Sequence, residues 1–337
     1  MKTLLIVATF LCTLTSVFAQ SNELLEKGIE YHDQGEYDKA IETYQEAIKI
    51  DPENPILYYE TALSYYYKED FENAITYSNH VIRLAPDDGI MIHAAILKGN
   101  SLDLLGKTQE SIDFFEEIID KNAENYLLYY NLAFNYLKIE DFEKAEENVI
   151  NALVINIEHN SSHLLLANIH DYQNHRIQTI LATHFFLLLE PDSSRSAEAF
   201  AMLERHLKAG VSVDKNDSSK INIFVDPSDT GEFSSAEFMV SLLEASKNLE
   251  KNEQKTEEEL FVDNTTSLFK ILGETNKNKP EDIWWGFYVP LFYEIANSEH
   301  IETYCMYISQ SANPQALQWL DSNYDKLEAF SNWLMED

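Results

Sequence analysis

Residues in this chain recur at an interval of 34. Tyr31 is followed by Tyr65, Tyr37 by Phe71, Ala40 by Ala74 and Pro52 by Pro86, each pair 34 positions apart. A fixed period of this length points to a supersecondary unit copied along the chain. Each copy is too small to bury both of its faces and must stack on its neighbours. Within one period, small and apolar residues return every three to four positions, at Leu24, Gly28 and Tyr31 and again at Ala40, Tyr44, Ala47 and Ile48. That is the spacing of two short amphipathic helices. The chain has only 9 Gly and 8 Pro in 337 residues, which suits regular helices joined by short turns. Pro86 and Pro191 lie 105 apart, three residues more than three periods, so an insertion is expected near Gly89 to Met91.

Five units can be laid out, near 21–54, 55–88, 92–125, 126–159 and 160–193. Their eighth position holds Gly28, Ala62, Gly99, Ala133 and Ala167. Their eleventh holds Tyr31, Tyr65, Leu102, Tyr136 and His170, and their twentieth Ala40, Ala74, Ser111, Ala145 and Thr179. In these positions the chain resembles the tetratricopeptide repeat (TPR) family. The resemblance implies an all-α solenoid of about five helix-turn-helix repeats, closed by a capping helix at 194–210. It also implies a concave groove lined by the first helix of each repeat. The groove residues carried over from the family pattern are Leu25, Ile29 and His32; Tyr59, Leu63, Tyr66 and Tyr67; Tyr130, Phe134 and Leu137; and Asn168 and Tyr172. Such a tyrosine-rich, apolar surface offers rigid area with polar tips. The implied partner is a protein or peptide segment with apolar and basic residues. Some family members clamp a C-terminal carboxylate with Lys, Asn and Arg from successive first helices. Here Ile56 to Tyr67 contains neither Lys nor Asn, so that mode is not expected.

Charge narrows the partner further. Against 24 Lys+Arg stand 58 Asp+Glu, a formal charge of −34. Such a surface repels nucleic acid and anionic lipid. The first residues differ in kind: Lys2, an almost uncharged run from Leu4 to Phe18, then Val17-Phe18-Ala19 before Gln20. This pattern reads as a secretory signal peptide over 1–19, with a bacterial periplasmic or envelope location expected for the remainder. Cys12 raises lipidation as an alternative, which Leu11 disfavours because a small residue is wanted there. Cys305 is the single cysteine after that segment, so no internal disulfide framework is expected, and its apolar surroundings predict a buried, inert thiol. No later segment is apolar enough to be a transmembrane helix.

Beyond the repeats, 211–222 reads as a linker and 223–337 as a mainly helical domain. A short strand is expected at Ile221–Val225. Helices are expected near Ser235–Leu249, Thr256–Leu272, Asp282–Ala296, His300–Gln310, Pro314–Ser322 and Tyr324–Met335, with a capping box at Ser234 and Glu237. Asp226, Asp229, Gly231 and Glu232 fail the spacing of a calcium loop. Trp284, Trp285, Phe287, Tyr288, Phe292 and Tyr293 form a dense aromatic segment, read as core, with a kink at Pro290. His159, His163, His170, His175 and His184 cluster in the fifth unit and are expected in the groove or at the surface. His163 and His170 are seven apart, too wide for a two-histidine metal pair on one helix. No nucleotide loop, zinc spacing or nucleophile elbow is present, so no catalytic residue, metal or cofactor is assigned. The expected role is a non-catalytic scaffold or adaptor. The alternative is an enzyme or ligand-binding C-terminal domain that uses the repeats as a docking arm, and a packed aromatic segment would count against it. A third reading, a solenoid serving only assembly, requires an apolar patch on its end.

Overall fold

The structure, a computed structural model, describes residues 19–85, 89–214, 220–224, 231–249, 252, 254–276 and 279–336. Contacts divide it into two compact units, Met1–Ile155 and Asn156–Asp337. The expected signal peptide, Cys12, Pro86, Asp226 and Asp229 lie outside the described residues.

The first unit is a series of paired helices: α1 (19–33) with α2 (Tyr37–Ile50), α3 (Pro55–Tyr67) with α4 (Phe71–Leu84), α5 (Gly89–Leu104) with α6 (Thr108–Ile119), and α7 (Tyr126–Lys138) with α8 (Phe142–Ile155). Two of the first helices begin the same way. Asn54 and Asn125 cap α3 and α7, each side chain accepting from the backbone N–H two residues on, and Pro55 fills the first turn of α3. The three-residue insertion is absorbed as extra helix, since α5 has 16 residues where α3 and α7 have 13.

Every first helix of the five repeats ends on one backbone device. Gly35, Glu69, Gly106, Glu140 and Asn174 all have positive φ, between 59° and 76°. Around each, the next residue's N–H reaches back five positions, as in Glu36 to Tyr31 and Asp141 to Tyr136. These are helix stops of the Schellman type, which satisfy carbonyls the helix end would leave bare. Glu69 and Glu140 pay for the left-handed conformation with a Cβ crowded against a carbonyl, about 1 kcal/mol each. Glu140→Gly should therefore stabilise α7–α8 by roughly 0.5–1 kcal/mol, read as slower amide exchange across those helices.

The repeats close on a matched pair of residues. The Gly28 position is crossed by the Tyr44 ring and the Gly99 position by the Phe115 ring. A Cβ added at either glycine would lie 2.2 Å and 2.1 Å, respectively, from the ring. Both rings are fully buried. Repeats with Ala at that site carry a smaller residue sixteen positions on: Ala62 with Ser78, Ala133 with Val149. Volume is thus conserved across the pair. The third and fourth repeats are further joined by a buried chain in which Asn135 Nδ2 donates to Ser111 Oγ at 2.7 Å, and Ser111 Oγ donates to the Gly99 carbonyl at 2.8 Å.

The second unit contains α9 (Asn160–Tyr172), α10 (Arg176–Leu189), α11 (Ser194–Lys208), strands β1 (Val211–Val213) and β2 (Ile221–Ile223), α12 (Ser234–Ser246) and α13 (Glu257–Thr275). A π-helical segment (Trp284–Tyr288) follows, then α14 (Val289–Asn297), α15 (Ile301–Ser309), α16 (Pro314–Ser322) and α17 (Tyr324–Glu336). Its centre is α10, in which Ile177 and every residue from Thr179 to Leu187 are buried. A helix apolar on all sides needs neighbours on all sides, and α9, α11, α12, α15 and the π-helical segment supply them. The helix expected at 194–210 is α11, and α12 and α15 cover it in turn.

Three details depart from the sequence reading. The stretch read as linker contains β1, which pairs antiparallel with β2 in the register Val211 to Ile223. The capping box sits at Thr256 and Glu259, where both reciprocal bonds form, while Ser234 starts α12 without a side-chain cap. Before Pro290 the chain makes a π-helical turn from which α14 continues, with the proline in its first turn, where its missing N–H is harmless.

Candidate functional site

Within the first unit, α3 touches α5 and α5 touches α7, whereas α4, α6 and α8 make no comparable contact with one another. In a bent stack the inner layer is the closer one, so the first helices line the inside of the curve. Of the residues assigned to that face, Leu25, His32, Tyr59, Leu63, Tyr66, Tyr130 and Leu137 are half-buried. Ile29, Tyr67 and Phe134 keep 37%, 55% and 47% of their surface exposed. Ile56, on the same helix as Tyr59, is 44% exposed. Asn168 is half-buried and Tyr172 is 73% exposed on α9, in the second unit.

The rings on this face organise one another. His32 and Tyr67 meet edge to face at 5.2 Å, and Tyr37 stacks near Tyr67 at 6.0 Å. Tyr66 packs edge to face on Phe71 at 5.7 Å, and Tyr59 lies 6.2 Å from the His93 ring. His32 Nδ1 is 2.8 Å from Ser64 Oγ, which ties the first repeat to the second, and burial lowers the His32 pKa against the opposing charge of Asp33. A separate set of tyrosines serves packing between helices. Tyr65 stacks on Tyr77 at 5.3 Å, Tyr58 stacks on His80 at 4.9 Å, and Gln45 donates to the Tyr77 hydroxyl at 3.1 Å.

Acids on the inner helices are not treated alike. Asp103 accepts from Lys138 Nζ at 2.8 Å and from Thr108 Oγ1 at 2.8 Å. Glu60 on α3 has no such partner among the described residues. Burial, and then the nearby Asp33, raise its pKa. Glu60 was not singled out in the sequence because an acid in so acidic a chain carries no signal by itself.

In the second unit His175 is exposed and His159 half-buried, in keeping with a groove or surface placement, but the other three clustered histidines overturn it. His163, His170 and His184 are buried. His163 Nε2 lies 2.6 Å from the Ile157 carbonyl, which can only accept, so that nitrogen carries the proton and Nδ1 accepts from the Tyr288 hydroxyl at 2.6 Å. His184 Nδ1 is 2.8 Å from the Tyr304 hydroxyl, with Phe269 and Phe292 rings around it. Desolvation lowers the His163 pKa to about 4 and that of His184 to about 3. The partners lie 125 and 120 residues further along the chain, which is why no local pattern revealed them. Arg176 is buried too. Its guanidinium donates to the carbonyls of His206, Leu207 and Glu237 and to Ser241 Oγ, closing the C-terminal end of α11. The aromatic segment is core: Trp284, Trp285, Tyr288 and Phe292 are all buried. Cys305 is fully buried and desolvation drives its pKa far up. Its thiol should stay unmodified by a disulfide reagent until denaturant is added, and immediate labelling of the native protein would contradict its placement.

Comparison with known proteins identifies part of the repeat array. A TPR repeat profile matches residues 28–68, and a tetratricopeptide repeat profile matches residues 56–88. These residues are tetratricopeptide repeats. A TPR repeat-containing protein of Methanocaldococcus jannaschii is 26% identical over 149 residues, 42% of this chain and 26% of that protein. RNA polymerase II-associated protein 3 of Mus musculus is 30% identical over 103 residues, 31% of this chain and 15% of that protein. The chain thus spans about a quarter or less of the length of these curated relatives. A TPR protein of Thermus thermophilus superposes with a TM-score of 0.45 at 15% identity, covering 56% of this chain and 98% of that one. Among the described residues, no TPR or C-terminal helix is long and apolar enough to cross a membrane, and no group of three His, Cys, Asp or Glu could hold a metal ion.

Proposed function

We propose that the chain is a non-catalytic scaffold or adaptor of the cell envelope that holds a segment of another protein against the inner face of its TPR helices. The observation that carries this reading is the set of exposed apolar and aromatic side chains on the first helices α1, α3 and α7: Ile29, Ile56, Tyr67 and Phe134. Exposed apolar side chains aligned on one face favour a macromolecular partner, and tyrosine and phenylalanine are the residue types that interfaces prefer. Leu25, His32, Tyr59, Leu63, Tyr66, Tyr130 and Leu137 belong to the same proposed surface, and Asn168 and Tyr172 are proposed as contact residues on α9 of the second unit. The net charge of −34 favours a segment with basic residues. Export rests on the signal-peptide pattern of 1–19. The docking-arm alternative gains nothing from the aromatic segment, whose largest rings are interior. Affinity capture with wild type and with a Tyr59→Ala, Tyr130→Ala double variant tests the proposal. Loss of at least one specific partner is expected in the variant, and identical partners at identical yield would refute the groove.

A further inference from the structure

We infer that the second unit carries a binding cleft for a methylated ammonium group, walled by Tyr307, Tyr324 and Phe330 and charged by Glu328. The cleft is independent of the groove, since every residue that lines it lies in the second unit.

The cleft has a volume of about 350 Å³ and lies between α17, Tyr307 of α15 and Leu188 near the end of α10. That volume falls within the range of small-molecule sites. Tyr324, Leu327, Ser331 and Leu334 follow one another at three or four residues, so one face of α17 forms a whole side of it. Phe330 is buried and makes the floor. Its ring centre lies 6.1 Å from that of Tyr307, with the two planes at 72°, so the rings present walls nearly at right angles. Tyr324 stands at the mouth and is 70% exposed, so a ligand can reach the cleft from solvent.

Charge decides what the cleft can hold. Glu328 is the one charged residue among the described residues that line it, and it makes no ion pair among the described residues. Lys326, two positions away, is engaged elsewhere: its ammonium pairs with Glu302 at 3.1 Å and lies 4.9 Å from the centre of the Trp319 ring. An anionic ligand would meet this carboxylate with no balancing cation, on a chain of net charge −34. A cation meets the carboxylate and the negative faces of the rings. A primary ammonium would bring three N–H donors against walls made mostly of leucine and ring carbon. A trimethylammonium group has no donor to satisfy, and its methyl groups suit those walls.

Isothermal titration of the full chain with choline, and with the uncharged isostere in which carbon replaces its nitrogen, tests the cleft. Choline should bind about tenfold more tightly than the isostere. Glu328→Gln should remove most of that difference. Tyr324→Ala should weaken choline binding and Tyr324→Phe should leave it intact, since the ring and not the hydroxyl meets the cation. Both positions are exposed, so neither change disturbs a core. The group could belong to a free small molecule or to a lipid head, and phosphatidylcholine vesicles separate the two. Choline binding assigns the cleft to the free molecule. Co-sedimentation with the vesicles that Glu328→Gln and Tyr324→Ala both abolish, without choline binding, assigns it to the lipid head. Equal binding of choline and its isostere overturns the cleft. So does a choline preference that survives both Glu328→Gln and Tyr324→Ala, or a failure to bind either choline or the vesicles.

Discussion

Gly99→Ala should destabilise the third and fourth repeats by about 1–3 kcal/mol, the usual range for an extra carbon forced into a packed core. The added Cβ would stand 2.1 Å from Phe115 Cζ, and Phe115 is fully buried with no space to swing into. The same backbone also supplies the carbonyl that accepts from Ser111, so a shift of α5 strains the chain that continues to Asn135. The remedy is written elsewhere in the protein. Ala133 faces its repeat with Val149 in place of a ring, so Gly99→Ala with Phe115→Val should be more stable than Gly99→Ala alone. Phe115→Val by itself leaves a void and should cost about 2 kcal/mol. The two changes would then couple by more than 1 kcal/mol, far from additive. Trp284, Trp285, Trp319 and Trp333 all lie in the second unit, so tryptophan emission is blind to this region. Amide exchange across α5, α6 and α7 is the suitable readout. Additive losses in the double variant would mean that the glycine and the ring are not a matched pair.

The second unit should lose about 4 kcal/mol between pH 8 and pH 5 through two histidines. In the fold His163 titrates near 4 and His184 near 3, both below the ordinary value of 6.5. A depressed histidine pKa means the unfolded chain takes up the proton first as pH falls. Stability is therefore whole above about pH 6.5 and declines through the window down to the folded values. One pH unit is worth about 1.4 kcal/mol per group, so 1.5 units give about 2 kcal/mol for each histidine. Protonation of the many surface acids relieves repulsion over the same range and pushes the other way. The informative quantity is thus the difference between wild type and a His163→Gln, His184→Gln variant, followed by tryptophan emission in urea. The gap between their unfolding midpoints should change steadily as pH is lowered. Parallel curves would show that these imidazoles are not held neutral inside the fold.

Which features could be read from the sequence follows from how local each one is. The repeat register was legible because its demands recur at fixed positions: a small residue where helices touch, a turn at a set distance. Even the three-residue slip was visible, and α5 takes it up as one longer helix. The positive-φ stops at Glu69, Glu140 and Asn174 were not, because only Gly35 and Gly106 announce the conformation by residue type. The compensation between Gly28 and Tyr44 escaped because it links two helices sixteen positions apart. The fifth repeat drifts from the pattern at His170, Thr179 and Phe186 for a reason found only in three dimensions. Its second helix is covered on every side, so the usual division into inner and outer faces no longer applies. The groove residues could be placed on the first helices by position alone, but the contrast between paired Asp103 and unpaired Glu60 needed coordinates.

The central claim, that partners lie on the inner face of the TPR helices, is tested most directly by a photo-activatable residue placed at Phe134 and, separately, at Glu147 on the outer helix α8. Both positions are exposed, so both report contact without disturbing a core. In cells of the source, the probe at position 134 should form a discrete adduct that Tyr59→Ala with Tyr130→Ala removes, while the probe at position 147 forms none. An adduct from position 147 alone, or one from position 134 that survives loss of both tyrosines, would contradict it.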